Sequence, residues 1–394
     1  MAIDLEQVYD RVYSYCRRDD FAGYDPFDGL NSRIFCLTPL KHVKLARLIW
    51  LQLIKRSPVN LRPALIVEKG VNPKALALFA LAELSRFRIT RRQNHAENAK
   101  YILTLLHDLK ISGQTTDGRP TTAFGYNFDW QSRVFFAPIG TPAIVPTAFA
   151  SQAFVEAYEV FADERYLTVA MEICEFIVSR LNRPVETDDE LCFSYTPVDH
   201  SIIYNANLLA GECLARVGAI TGNSKYLEMA AKTARFVVRR QRADGAWVYG
   251  ENRKQAWADN FHTAYVLLSL RRISTHVSGL DAETAEASEQ GIRYWLDNFF
   301  LDDGTPKYYD NSVYPVDIHA AAAAIVALCE LHEGDKRMLL LARKIAEWAT
   351  ANLLDPQGFF YYQQRKHWTV KTSYMRWGQA WMAYALARLI ESEK

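Results

Sequence analysis

The chain has 394 residues, 49% of them hydrophobic and 23% charged, a balance that excludes a disordered protein and suits a soluble globular one. Its 46 Lys and Arg against 45 Asp and Glu leave a formal charge of +1, so no overall excess points to nucleic acid or an anionic membrane as a partner. The apolar run 320–329 cannot span a bilayer, which needs about 20 residues, and the six cysteines are scattered, as suits buried thiols better than a disulfide framework. Residues 1–6 carry neither a basic n-region nor an apolar h-region, so the expected compartment is cytoplasmic.

Residues 5–17 predict a short helix, taken with the rest of residues 1–40 as an N-terminal helical extension of a single domain. Residues 41–55 predict an amphipathic helix facing water. Residues 72–87 predict a helix with few charges, capped by Asn72 with Pro73 in its first turn. Residues 95–109 are amphipathic again. A connection at 124–145, longer than the others, follows. Weakly charged helices at 146–160, 204–217 and 319–331 then alternate with amphipathic ones at 224–240, 286–300 and 336–352. A helix apolar nearly all round is buried on all sides, whereas an amphipathic one forms an outer layer.

This alternation repeats about every 58 residues. An aromatic loop, mostly with Gly, precedes several helices of low charge, as in Asp244-Gly245-Ala246-Trp247-Val248-Tyr249 and Gln357-Gly358-Phe359-Phe360-Tyr361-Tyr362. An aspartate recurs at 199, 259 and 317. Short turns such as Thr221-Gly222-Asn223-Ser224 link the helices at the opposite end, with Asp or Asn as cap. Six inner and six outer helices would close an all-α ring, with every aromatic loop at one mouth. Strand signals are weak and confined to those loops.

These residues resemble the six-hairpin (α/α)6 toroid superfamily of glycoside hydrolases, unsaturated glucuronyl hydrolases, polysaccharide lyase domains and sugar epimerases. More narrowly, Gly125-Tyr126-Asn127-Phe128-Asp129-Trp130-Gln131-Ser132-Arg133, Asn205-Ala206-Asn207-Leu208-Leu209 and Trp257-Ala258-Asp259-Asn260-Phe261-His262-Thr263 resemble the VpsJ-like proteins found beside bacterial exopolysaccharide and O-antigen genes. The resemblance implies a glycan connection in cell-envelope polysaccharide production, with glycosyltransferases of the same pathway as possible partners.

The inferred mouth collects chemistry suited to sugars. Aromatic faces stack on the C–H faces of sugar rings while neighbouring polar groups read the hydroxyls. The catalytic candidates are the carboxylates Asp129 and Asp259, with His262 as acid/base partner three residues on from Asp259. Arg133 and Arg376 are candidates to hold an anionic group. Trp130, Tyr204, Asn205, Trp247, Trp257 and Tyr309 are candidate sugar contacts. So are Asp199, Glu251, Asp317, His319, Tyr361 and Trp377. Asp199, Asp259 and Asp317 each stand where a helix cap belongs, which is the plainer role, with Asp259 the best exception because Asn260 could cap in its place. Two carboxylates flanking the scissile bond would make a glycosidase. A His or Tyr base with a cation would instead make a uronate or amino-sugar epimerase or lyase. Hydrolysis of an acidic glycan is the first expectation, and a non-catalytic glycan-binding scaffold is the rival. No ligand spacing supports a metal, and no P-loop or G-x-G-x-x-G supports a nucleotide cofactor.

Overall fold

The computed structural model describes residues 3–394. Its helices are α1 (Leu5–Arg18), the one-turn α2 (Arg33–Cys36) and α3 (Lys44–Arg56). Five hairpins follow: α4 (Pro73–Thr90) with α5 (Gln93–Asp108), α6 (Ile144–Phe161) with α7 (Glu164–Arg180), α8 (Tyr204–Thr221) with α9 (Ser224–Val238), α10 (Asn260–His276) with α11 (Leu280–Phe299), and α12 (Ile318–Leu331) with α13 (Lys336–Leu353). The last helix is α14 (Ala380–Ser392).

The even-numbered helices from α4 to α14 each pack on the next, and α14 packs back on α4, so they close a ring. Being enclosed on every side, they have no polar face to spend. In α12 every residue from Ile318 to Cys329 is buried, and its five consecutive alanines let α10 and α14 approach closely. Each inner helix carries an outer partner, so the fold is an (α/α)6 toroid.

The partners differ from the sequence expectation at one place. Residues 41–55 do not supply an outer helix. That segment, α3, packs on the short turns around it and on the strand at Trp130–Gln131, over the mouth. The sixth outer helix is α1, which closes the ring against α14 and is no appendage. It buries Leu5, Val8, Tyr9, Val12 and Cys16 as one stripe. The Tyr9 hydroxyl donates to Glu83, and Arg86 pairs with Glu6. Glu83, buried on α4, also meets His95 Nδ1 at 2.9 Å and accepts from Asn98 at 3.0 Å, so its charge is satisfied.

The two ends of the toroid are built differently. At the far end the turns are tight, and Asp163, Asn223 and Asp335 cap the outer helices α7, α9 and α13. At the mouth the connections are long and hold short antiparallel ladders. Ile111–Gln114 pairs with Pro120–Ala123. Val316–Asp317 pairs with Gln363–Gln364, which pairs in turn with Thr369–Val370. A π-helical turn, Met375–Gln379, leads into α14 and turns Arg376 and Trp377 toward the mouth. No helix among the described residues is long and apolar enough to cross a membrane.

Candidate active site

A cavity of about 360 Å³ opens at the mouth, where the inner helices begin. That size suits a small ligand or a few sugar rings. The N-termini of α4, α10 and α12 face it, each capped by a side chain: Asn72, Asp259 and Asp317.

Asp259 and His262 come together. Asp259 Oδ1 accepts the His262 backbone N–H at 3.0 Å, and Oδ2 lies 2.7 Å from His262 Nδ1. Oδ2 also accepts the Trp257 indole N–H at 2.9 Å. The aspartate therefore caps α10 and orients an imidazole at once. Its side chain is fully buried behind the wall, while His262 reaches the cavity with 20% of its side chain exposed. With Nδ1–H donating to the carboxylate, the Nε2 lone pair is left for the cavity.

His319 stands on the next inner helix, in contact with the same Phe261 ring that His262 touches, with centroids 4.8 and 4.1 Å away. Its Nδ1 is 2.9 Å from the Trp377 carbonyl oxygen, which can only accept, so Nδ1 carries the proton. Nε2 then accepts the Tyr265 hydroxyl at 2.6 Å. Burial, with Lys74 nearby, holds the His319 pKa well below its usual value, so the ring is neutral. Lys74 lies 3.5 Å from the Tyr265 hydroxyl and 4.3 Å from the Phe149 ring centre, and burial pushes its own pKa far down.

The wall is cationic. Lys55, Arg56, Lys74, Arg133 and Arg365 line it, and among the described residues none has a carboxylate within 4.0 Å. Burial lowers the Lys55 pKa to about 8, Asp317 and Asp25 acting in the opposite sense and Arg56 adding to the fall. Burial and Arg56 lower Arg365 in the same way. Among the described residues no Asp or Glu lines the cavity. Four buried polar atoms on residues of this wall also lack partners: Asn205 Oδ1, Gln255 Oε1, Gln363 Oε1 and Arg365 Nε. These atoms can bond a ligand's hydroxyl or carboxylate groups. Aromatic surface frames these groups, with Tyr249 stacked on Trp257 at 5.0 Å and Arg133 lying 4.6 Å over the Trp257 ring.

Several sequence candidates lie elsewhere. Asp129 points away from the cavity and accepts the Ile139 N–H at 2.7 Å, so Asp129 and Asp259 do not flank a common space. Asp199 is spent within its own loop, on the Thr196 N–H and hydroxyl and on Ser201. It does not cap α8, which starts after Ile203 without a side-chain cap. Tyr204 is buried against Phe236, and Trp247 donates to the Val237 carbonyl in the core. Glu251 pairs with Arg240 at 2.8 Å. Tyr361 turns outward to Asp355, and its neighbour Tyr362 faces the cavity instead. Asp317 sits behind the wall, accepting from His319, Trp377 and Gln363, each at 2.9 Å, with burial raising its pKa to about 6. Arg376 reaches the cavity already neutralised, held by both oxygens of Asp25 at 2.6 and 2.8 Å. Trp130, Arg133, Asn205, Trp257, Tyr309, His319 and Trp377 do line it.

The sequence reading missed Lys55, Arg56, Lys74, Tyr265 and Gln363. Lys74 left a signal: a cation in the first turn of a nearly apolar inner helix opposes the helix dipole and has no structural gain there. Among the described residues no group of three or more His, Cys, Asp and Glu is arranged to hold a metal ion.

No family model and no curated protein sequence matches the chain. Solved structures do match in shape. A cellobiose 2-epimerase from Bacillus thermoamylovorans aligns at TM-score 0.63 with 12% identity, over 84% of this chain and 90% of that one. A GH76 α-mannanase of Bacteroides thetaiotaomicron aligns at 0.64 with 9% identity, over 82% and 86%. An unsaturated glucuronyl hydrolase specific for heparin aligns at 0.61 with 13% identity, over 99% and 96%. At these identities the likeness shows the toroid fold alone.

Proposed function

We propose that the protein is a carbohydrate-active enzyme that moves a proton at the carbon next to the carboxylate of an acidic sugar, as an epimerase or a lyase does. The observation that carries this reading is the composition of the cavity wall: an Asp–His pair, a His–Tyr pair and unneutralised cations, with no carboxylate exposed among the described residues. Glycosidases of the two-carboxylate kind need two such groups facing the bond. Structures of this shape include an epimerase and hydrolases, so the wall and not the fold has to discriminate.

In this reading the sugar carboxylate sits among Lys55, Arg56 and Arg365, which also stabilise the second negative charge that develops on it as the C–H bond breaks. His262 Nε2 takes the proton, and Asp259 stabilises the imidazolium that results. Tyr265, hydrogen-bonded to His319, stands ready to return a proton. Return to the opposite face gives epimerisation, and loss of a β-substituent gives elimination. The aromatic wall stacks the ring, and Asn205 and Gln255 read hydroxyls. The polysaccharide-assembly setting implied by the sequence resemblance is carried into this proposal.

The test is incubation with uronate-containing oligosaccharides in heavy water, read by mass spectrometry. Deuterium gained without chain hydrolysis, or an unsaturated product, is the expected result. Hydrolysis without any carbon-bound deuterium would reject the proton-transfer reading in favour of a hydrolase.

A further inference from the structure

The overall charge of +1 conceals a local extreme. Residues 29–67 contain seven Lys and Arg and no Asp or Glu; Arg62 is buried against Asp28 and Arg33 pairs with Glu68, and among the described residues the other five have no acidic partner. The same segment carries a concentration of exposed aliphatic side chains. Leu45, Ile49 and Leu53, 65%, 51% and 62% exposed, form one stripe along α3 at four-residue spacing. Leu37, at 89%, Leu40 and Val43 extend it into the preceding turn. The other faces of α3 are occupied: Leu51 and Ile54 are buried beneath it, and Leu48, Gln52, Lys55 and Arg56 line the cavity. Lys41 and Lys44 stand exposed beside the stripe, and Arg47 bonds only to uncharged oxygens of Lys41 and Gln131. Ile139, Val198 and Trp368, on other connections at the mouth, are exposed as well.

We propose that α3 and the turn before it dock the toroid mouth onto an anionic membrane surface. A helix with an aliphatic stripe bordered by cations lies in the lipid headgroup layer, where burial of the stripe and attraction to acidic lipids act together. The occupant is argued from charge and side-chain type. A second copy docked through this face would set two cation-bordered stripes together with no Asp or Glu of residues 29–67 to pair those cations. A protein partner is met less well by this surface, because protein hot spots favour Trp, Tyr and Arg over the Leu, Ile and Val present here. Docking in this way turns the cavity toward the lipid, and it does not depend on which reaction the cavity performs.

Flotation of the purified full chain with phosphatidylcholine vesicles containing one third phosphatidylglycerol tests the proposal, with pure phosphatidylcholine vesicles as the control. Binding is expected only to the anionic vesicles, and it weakens as salt rises. Two variants remove the two contributions separately: Leu45→Ser/Ile49→Ser/Leu53→Ser and Lys41→Glu/Lys44→Glu. Each lowers the partition coefficient at least about tenfold with unchanged circular dichroism. In the wild type, hydrogen exchange of residues 37–44 slows on adding anionic vesicles, a readout that needs no variant. Equal binding to both vesicle types, no binding, variants that bind like the wild type, or a dimer that the stripe variant converts to a monomer would each overturn the proposal.

Discussion

Both ends of the toroid gather charged side chains inside the ring, and they handle them in opposite ways. At the far end Arg272 bridges Glu212 and Glu330 at 2.9 and 2.7 Å, and Arg216 bridges Glu156 and Glu159 at 3.3 and 2.6 Å. Arg88 joins Glu156 to Glu391, and Arg388 adds a further pair with Glu391. Each of these arginines has a carboxylate partner; the network surrounds a second cavity of about 310 Å³, where, among the described residues, Arg388 Nε alone of the lining side-chain atoms is buried without a partner. At the mouth, among the described residues, exposed Arg56 and Arg133 and half-buried Lys55 and Arg365 have no such partner, nor has buried Lys74, whose charge burial disfavours; the nearest acids lie behind the wall, and four buried polar atoms lack partners. Buried polar groups are ordinarily satisfied. At the far end charge meets charge within the ring, and at the mouth the cations are free to meet an anion.

The comparison can be broken most severely at His262. His262→Asn is expected to lower kcat about 10²–10⁴-fold with little change in melting temperature, since it removes a general base but no core contact. Asp259→Asn sharpens the same point. The asparagine still caps α10, but its amide N–H₂ now faces both Nδ1 and the Trp257 indole N–H, so about 1 kcal/mol of stability is lost, the wrong tautomer is favoured, and kcat falls nearly as far. The far end should give the reverse. Arg272→Met leaves Glu212 only Gln152 and Ser269 and leaves Glu330 only Arg388 at 3.9 Å, and is expected to cost about 3 kcal/mol in denaturant melts, with kcat and KM kept.

Smaller effects test the cations. Arg365→Ala, and separately Arg56→Ala, are expected to raise KM about tenfold for an acidic glycan and to leave melting unchanged. The smallest effect is in the pH profile. With its pKa lowered to about 8, Lys55 carries its charge below that pH and loses it above. KM for an anionic ligand should therefore rise several-fold as pH climbs past about 8, and Lys55→Arg, charged throughout, should abolish that limb.

The toroid was legible because its physics is local and repeated. Apolar helices such as 319–331 announce full burial, and the Asp or Asn turns announce the hairpins. Ring closure was not legible. Residues 5–17 and 41–55 are both amphipathic segments ahead of the first hairpin, and only contact with α14, at the other end of the chain, distinguishes the outer helix from the mouth cover. The site was half legible for a similar reason. Asp259 and His262 sit three apart on one helix, so their pairing is local. Asp129, Asp199 and Glu251 share the mouth by topology, but each is claimed by a loop amide, a hydroxyl or an arginine that no spacing rule identifies. Lys55 and Arg56 reach the wall only through the long connection between α1 and α4, folded over the ring.

The central claim is that the mouth is incomplete without an anion. Calorimetric titration of the wild type with uronate oligosaccharides, and with the same oligosaccharides after reduction of their carboxyl groups to alcohols, tests it most directly. The acidic series is expected to bind at least about tenfold more tightly, through charge-assisted hydrogen bonds, with an advantage that shrinks as salt rises. Equal affinity for the reduced series would contradict it.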